Sequence, residues 1–110
     1  MNNSTLQTAR AAAAACALTL VQGIAIAEPG VTDNQLVLGS VTPVSGPPSL
    51  LGKAHVAALK VWQEDVNSRG GINGRKVEIR LDDDGYVPQR ALQGVKRLNE
   101  SENVFGLIGT

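Results

Sequence analysis

Three kinds of hydrophobic pattern follow one another along the chain. The first has no amphipathic period. After a polar start ending in Arg10, small and apolar residues run from Ala11 to Val21 and resume through Gly23-Ile24-Ala25-Ile26-Ala27. The character changes at once at Glu28-Pro29-Gly30. A charged start, an apolar stretch and an A-x-A exit form the pattern of a secretory signal peptide. The small side chains of Ala25 and Ala27 suit the shallow pockets of a signal peptidase, which predicts cleavage after Ala27. The run is short for a membrane span of about 20 residues.

The second pattern is the continuous apolar run. Residues 28–35, with Pro29, Gly30, Asp33 and Asn34, read as a flexible start. Leu36 to Val41 then shows little polar alternation, as expected of a strand covered on both faces of a parallel sheet. Thr42 to Ser49 holds three prolines and one glycine and ends regular structure. Val104 to Ile108 is a second short apolar run and a predicted strand. Between these, Arg75 to Leu81 alternates polar with apolar, which predicts a strand nearer the sheet edge.

The third pattern is helical. From Leu50 to Ser68, Ala54, Ala57, Ala58, Val61, Trp62, Asp65 and Val66 recur near the helical period, and Lys53, Lys60, Gln63, Glu64 and Asn67 take the opposite face. Ser49 is a candidate N-cap, and Gly70-Gly71 supplies the stop. Asn73-Gly74 makes a tight turn. Pro88 can open a second helix, with Leu92, Val95 and Leu98 on one face. The order strand, helix, strand, helix, strand predicts an α/β fold, a parallel βαβαβ sheet with right-handed crossovers.

Composition narrows the function. Ten basic residues balance ten acidic ones. That balance lacks the basic stripe of a nucleic-acid protein. The one cysteine, Cys16, lies in the leader, so a mature chain has no disulfide and is held by packing. Ala13 stands where a lipobox carries leucine, which argues against a lipid anchor at Cys16.

Candidate chemistry is sparse. Gly46 to Lys53 superficially resembles a phosphate loop, but the spacing is one residue too long and Ala54 replaces the magnesium-binding hydroxyl. No glycine fingerprint for a dinucleotide follows the first strand. Asp82, Asp83 and Asp84 are consecutive, whereas a calcium loop places acids at alternate positions. They read as a solvated strand end. His55 stands alone, and Trp62 reads as core. Nothing predicts an enzyme, a metal or a cofactor. The loop Thr42–Ser49 is the best candidate site. With strand order 2-1-3, it lies where ligands gather in open parallel sheets. Ser45 offers a hydroxyl, Gly46 an open amide, and the next helix its positive end, a combination suited to a carboxylate.

Taken together, residues 36–110 resemble the amino-terminal part of the leucine-binding family of type I periplasmic solute receptors of ABC importers. The carriers are Leu38-Gly39-Ser40-Val41-Thr42-Pro43-Val44-Ser45-Gly46-Pro47, Gly52, and Asn67 to Arg75. Val77-Glu78-Ile79, Asp83-Asp84, Pro88, Ala91 and Val104 to Gly109 complete them. The resemblance implies two lobes closing on a ligand across a hinge. The closed form then meets membrane permease subunits. A monomeric receptor is what the resemblance implies. Family members bind branched-chain amino acids, amides, urea and aromatic acids. It also implies ligand contact at Leu51, where amino-acid-binding members often carry an aromatic ring, and from Thr110 onward. Val87 stands where the family often has a helix-capping aspartate. The residues 36–110 therefore read as a partial first lobe without the second, and an isolated chain of this length is expected not to bind normally. A receptor's ligand-sensing module, an exported enzyme with a flavodoxin-like domain and a truncated remnant are the alternative readings.

Overall fold

The structure, a computed structural model, describes residues 27–109. The apolar leader, including Ala25, lies outside the described residues. The elements are β1 (Gln35–Val41), α1 (Ser49–Ser68), β2 (Lys76–Asp82), α2 (Pro88–Glu100) and β3 (Gly106–Leu107). They form one parallel sheet in the order β2-β1-β3. The architecture is the expected α/β sheet, with the 2-1-3 order on which the candidate site depends.

β1 is central because its residues tolerate cover on both sides: Val37, Gly39, Ser40 and Val41 are buried. Val37 and Val41 join Leu98 and Val104 in the core, with Ala91 and Val95 packed against them. β1 pairs with β2 from Gln35–Lys76 to Val41–Asp82. β3 is shorter than the apolar run Val104 to Ile108, yet Phe105 N donates to Val37 O and Ile108 N to Gly39 O on either side of the ladder. The segment before β1 is bonded too: Val37 N donates to Gly30 O, and Arg75 Nε to Thr32 O at 2.6 Å.

The helices differ from their sequence reading in rotation. On α1 the buried residues are Gly52 and Leu59. Ala54, Ala57, Ala58 and Val61, expected inside, are exposed. Trp62 is half-buried. The residues turned to the sheet include Gln63 and Asn67, expected outside. Asn67 Nδ2 donates to Val77 O at 2.9 Å and its Oδ1 accepts from Val77 N at 2.7 Å. Gln63 Oε1 accepts from Ile79 N at 3.1 Å. The physical reason is the position of β2. As an edge strand it leaves backbone groups without a ladder partner, and buried backbone groups must be bonded. Side-chain amides are suited to this because each carries a donor and an acceptor.

This arrangement makes a testable demand. Asn67→Leu leaves both polar groups of Val77 without their partners and is expected to cost about 2 kcal/mol. Urea unfolding of the variant measures it, and an unchanged midpoint would contradict the assignment.

Two smaller corrections follow the same logic. Ser49 is the first residue of α1 and not its cap; the cap position is Pro48, with no side-chain cap bond. On α2, Leu92 is 65% exposed, and the inward face is Ala91, Gly94, Val95 and Leu98. Gly94 is there because Asp82 needs the space: a Cβ on Gly94 would stand 3.1 Å from the Asp82 carboxylate. Asp82 is buried and takes Arg97 Nε at 2.7 Å and Arg97 Nη2 as partners. It is not a solvated strand end. Among the described residues, no helix is long and apolar enough to cross a membrane.

Candidate functional site

Three chain segments meet at the carboxyl ends of the strands: the loop from β1 to α1, the loop from β2 to α2, and the exit of β3. The first is held by backbone and carboxylate. Thr42 N donates to Asp82 O at 3.0 Å, which carries the β1–β2 pairing one residue past the strand. Val44 N and Ser45 N then donate to Asp83 Oδ1 at 3.0 and 3.2 Å. Ser45 Oγ donates to Asp83 Oδ2 at 2.5 Å.

Asp83 is itself fixed from its other side. Gly85 N donates to Oδ1 at 3.0 Å, and Arg90 Nη2 lies 3.7 Å from Oδ2 while donating to the Asp83 carbonyl at 2.9 Å. The Ser45 hydroxyl, assisted by the Gly85, Ser45 and Val44 amides, holds the Asp83 carboxyl down at about 2, against desolvation, which raises it. A carboxylate this acidic is a poor proton acceptor near neutral pH. The Ser45–Asp83 pair therefore fixes a loop and does not activate a nucleophile.

The expected ligand residues are placed as follows. Ser45 and Gly46 are exposed on the first loop. Gly46 has φ of +78° and its Cα faces Gly85, where an added Cβ would lie 3.1 Å from the Gly85 carbonyl oxygen. The two loops thus touch, and glycine is what allows it. The Gly46 carbonyl accepts from Ser49 N at 3.2 Å, which turns the chain into α1. Leu51, in the first turn of α1, is 74% exposed. Gly52 beside it is buried, packed on the Pro43 carbonyl. Thr110 lies outside the described residues; Gly109 before it accepts a bond from Ser40 Oγ at 3.2 Å.

Asp83 is the site residue that sequence reasoning missed. Three consecutive acids looked like a turn because no common ligand uses that spacing. Alternation along β2 puts Asp82 on the polar side with Glu78 and Arg80, where Arg97 meets it, and Asp83, at the strand exit, is beside the loop. Tyr86 was missed as well. It is 74% exposed in the second loop at φ +64°, held there as its amide donates to Asp84 Oδ1 at 2.8 Å. Among the described residues, no group of three or more His, Cys, Asp or Glu could hold a metal ion.

A parallel sheet of order 2-1-3, with its loops locked at the carboxyl ends of the strands, defines the class of open α/β proteins that bind ligands in a crevice at that end. Comparison with known proteins specifies it further. The family model described as periplasmic binding protein matches residues 35–110. The Leu/Ile/Val-binding protein homolog 7 of Brucella suis biovar 1 (strain 1330) is 34% identical over 94 residues, 86% of this chain and 23% of the relative. The solved fatty acid ABC transporter substrate-binding protein from Thermomonospora curvata is 41% identical with a TM-score of 0.61, over 69% of this chain and 19% of that one. The Streptococcus pneumoniae branched-chain amino acid transporter substrate binding protein LivJ, solved with isoleucine, is 21% identical. It has a TM-score of 0.67 over 70% of this chain and 22% of that one, a likeness of fold.

The chain belongs to the periplasmic binding protein family. It spans about a quarter of the length of the Brucella relative, and its α/β sheet corresponds to the amino-terminal part of the family's type I fold.

Proposed function

We propose that this chain supplies the first-lobe wall of an exported solute receptor. The receptor binds a branched-chain amino acid or a related small carboxylate or amide and delivers it to the permease of an ABC importer. The observation that carries this reading is the loop Thr42–Ser49. In a chain of this family, it is clamped by Asp83 at the carboxyl ends of the strands, with Ser45, Gly46 and Leu51 exposed along it. The positive end of the α1 dipole favours a negative group, and Leu51 supplies an apolar wall. These are the two halves of an apolar amino acid. The chemistry is binding without bond cleavage: ligand shifts an open–closed equilibrium by its differential affinity for the two states.

The leader pattern supports a periplasmic destination, with residues 1–27 removed, residues 28–35 as an entry segment and residues 36–110 as part of lobe 1.

The test uses the full receptor prepared from osmotic-shock fluid. Its intact mass is expected to begin at Glu28. Titration with leucine, isoleucine, valine and a fatty acid is expected to raise the melting temperature by about 5 °C for the matching ligand at a hundredfold excess over Kd. A mass that retains residues 1–27, or no shift with any of these compounds, would remove the corresponding part of the proposal.

A further inference from the structure

α2 meets the end of β2 along one narrow face. Arg90, Gly94 and Arg97 are spaced i, i+4 and i+7, so they share one side of the helix. That side looks onto two consecutive aspartates. A strand sends neighbouring side chains to opposite faces, and Asp82 turns to α2 while Asp83 turns to the loop between β1 and α1. Arg97 holds the Asp82 carboxylate through Nε at 2.7 Å and through Nη2. Gly94 leaves the space that this carboxylate fills. Arg90 Nη2 donates to the Asp83 carbonyl at 2.9 Å. The helix therefore holds both aspartates from behind.

The same two residues hold the loop from the front. The Asp82 carbonyl accepts from Thr42 N, and Asp83 Oδ1 accepts from Val44 N and Ser45 N. Asp82 is thus joined to the helix by its side chain and to the loop by its backbone. Its side chain is 7% exposed, against 56% for that of Arg97. Removal of the arginine would leave a buried carboxylate without its counter-charge, a costly state.

We infer that Arg97 is a positioning residue for the ligand: through the Asp82 carboxylate it fixes the end of β2, and through the Thr42 bond it fixes the shape of the loop Thr42–Ser49. This rests on the proposed reading that the loop bounds the ligand. Without Arg97, Asp82 turns towards water and its backbone, with the Thr42 bond, turns with it. Arg97 acts through Asp82 alone.

Three variants of the full receptor separate this role from packing. Arg97→Met keeps the aliphatic stem and removes the guanidinium. Arg97→Lys keeps a cation. Asp82→Asn removes the charge that Arg97 answers and keeps the carbonyl that Thr42 needs. With isoleucine as probe, Arg97→Met is expected to lose about fivefold in affinity and Arg97→Lys about twofold. In an Asp82→Asn background, Arg97→Met is expected to cause no further loss, because two residues acting through one contact are not additive. Equal affinities for Arg97→Met and the parent, equal losses in the Met and Lys variants, or the full loss repeated in the Asp82→Asn background would overturn the assignment.

Amide exchange gives a ligand-free readout. In Arg97→Met, protection at Thr42, Val44 and Ser45 is expected to fall about tenfold. Protection at Val77, whose amide Asn67 holds on the α1 side, is expected to stay within about twofold of the parent. A loss shared equally by Val77, or unaltered exchange in the loop, would overturn the inference. This readout stands even where isoleucine fails to bind the parent, a result that would count against the proposed ligand and not against Arg97.

Discussion

Replacing Gly52 with alanine is expected to destabilise the lobe by about 2 kcal/mol, although alanine is the better helix former. The propensity gain for Gly→Ala is about 1 kcal/mol. Against it stands an overlap with the Pro43 carbonyl oxygen, which an alanine Cβ at position 52 would meet well inside contact distance. The obstacle is backbone, so no rotamer change relieves it. α1 has to move away from the loop, at an overpacking cost of about 3 kcal/mol. Gly52→Val should be worse. The same movement carries Leu51 and the start of α1 away from Ser45 and Gly46, so ligand affinity should fall with stability. Urea unfolding and calorimetric titration of the full receptor measure the two effects. An alanine variant as stable as the parent would mean that α1 does not rest on this loop.

The second large effect is expected at Asp83. Asp83→Asn removes the charge that strengthens the Oδ1 bonds to the Val44, Ser45 and Gly85 amides, and replaces Oδ2, the acceptor of the Ser45 hydroxyl, with an NH2 donor. Amide protection at Val44 and Ser45 should drop, and affinity should fall by about tenfold as the loop loses its fixed shape. The pH dependence has a definite sign. The folded carboxyl sits at about 2, below the ordinary value of 3.8 for an aspartate. Its contribution is therefore fully present above the unfolded value and lost as the pH falls from about 4 towards 2. The parent should lose stability across that window more steeply than Asp83→Asn, as followed by thermal melts at each pH. Parallel curves for the two proteins would show that the clamp does not form.

How much of this could be read from the sequence depended on which physical force wrote each element. β1 was clear because burial on both faces leaves an uninterrupted apolar run. The order of elements followed from alternation between helical and strand periods. The turn at Gly70-Gly71 and the start of α2 at Pro88 were clear because few residues can occupy such positions.

The rotation of α1 was misread for an equally physical reason. Hydrophobic periodicity locates the greasiest face of a helix, but α1 rests on an edge strand, where unpaired backbone groups ask for amides. Gln63 and Asn67 answer that demand and look like solvent-facing residues in a one-dimensional pattern. Ala54, Ala57, Ala58 and Val61 form the more apolar stripe and are exposed. Asp83 was obscure because its partners on the first loop are 38 and 39 positions away along the chain. Ser45, Gly46 and Leu51, picked out by the loop's composition and the family resemblance, lie exposed at the carboxyl ends of the strands. His55 had no motif to announce it; its ring lies against a glycine 54 positions later.

The amides of Gln63 and Asn67 also decide the direction in which the sheet can grow. A strand approaching β2 from outside would find Val77 and Ile79 already occupied and would have to displace α1 to pair with them. Among the described residues, a strand approaching from the side of β3 meets no such lock. Extension of this sheet is therefore one-way. Any added strand, whether from the same polypeptide or from another molecule, enters beyond β3, the same flank on which Gly109 leaves the sheet beside His55.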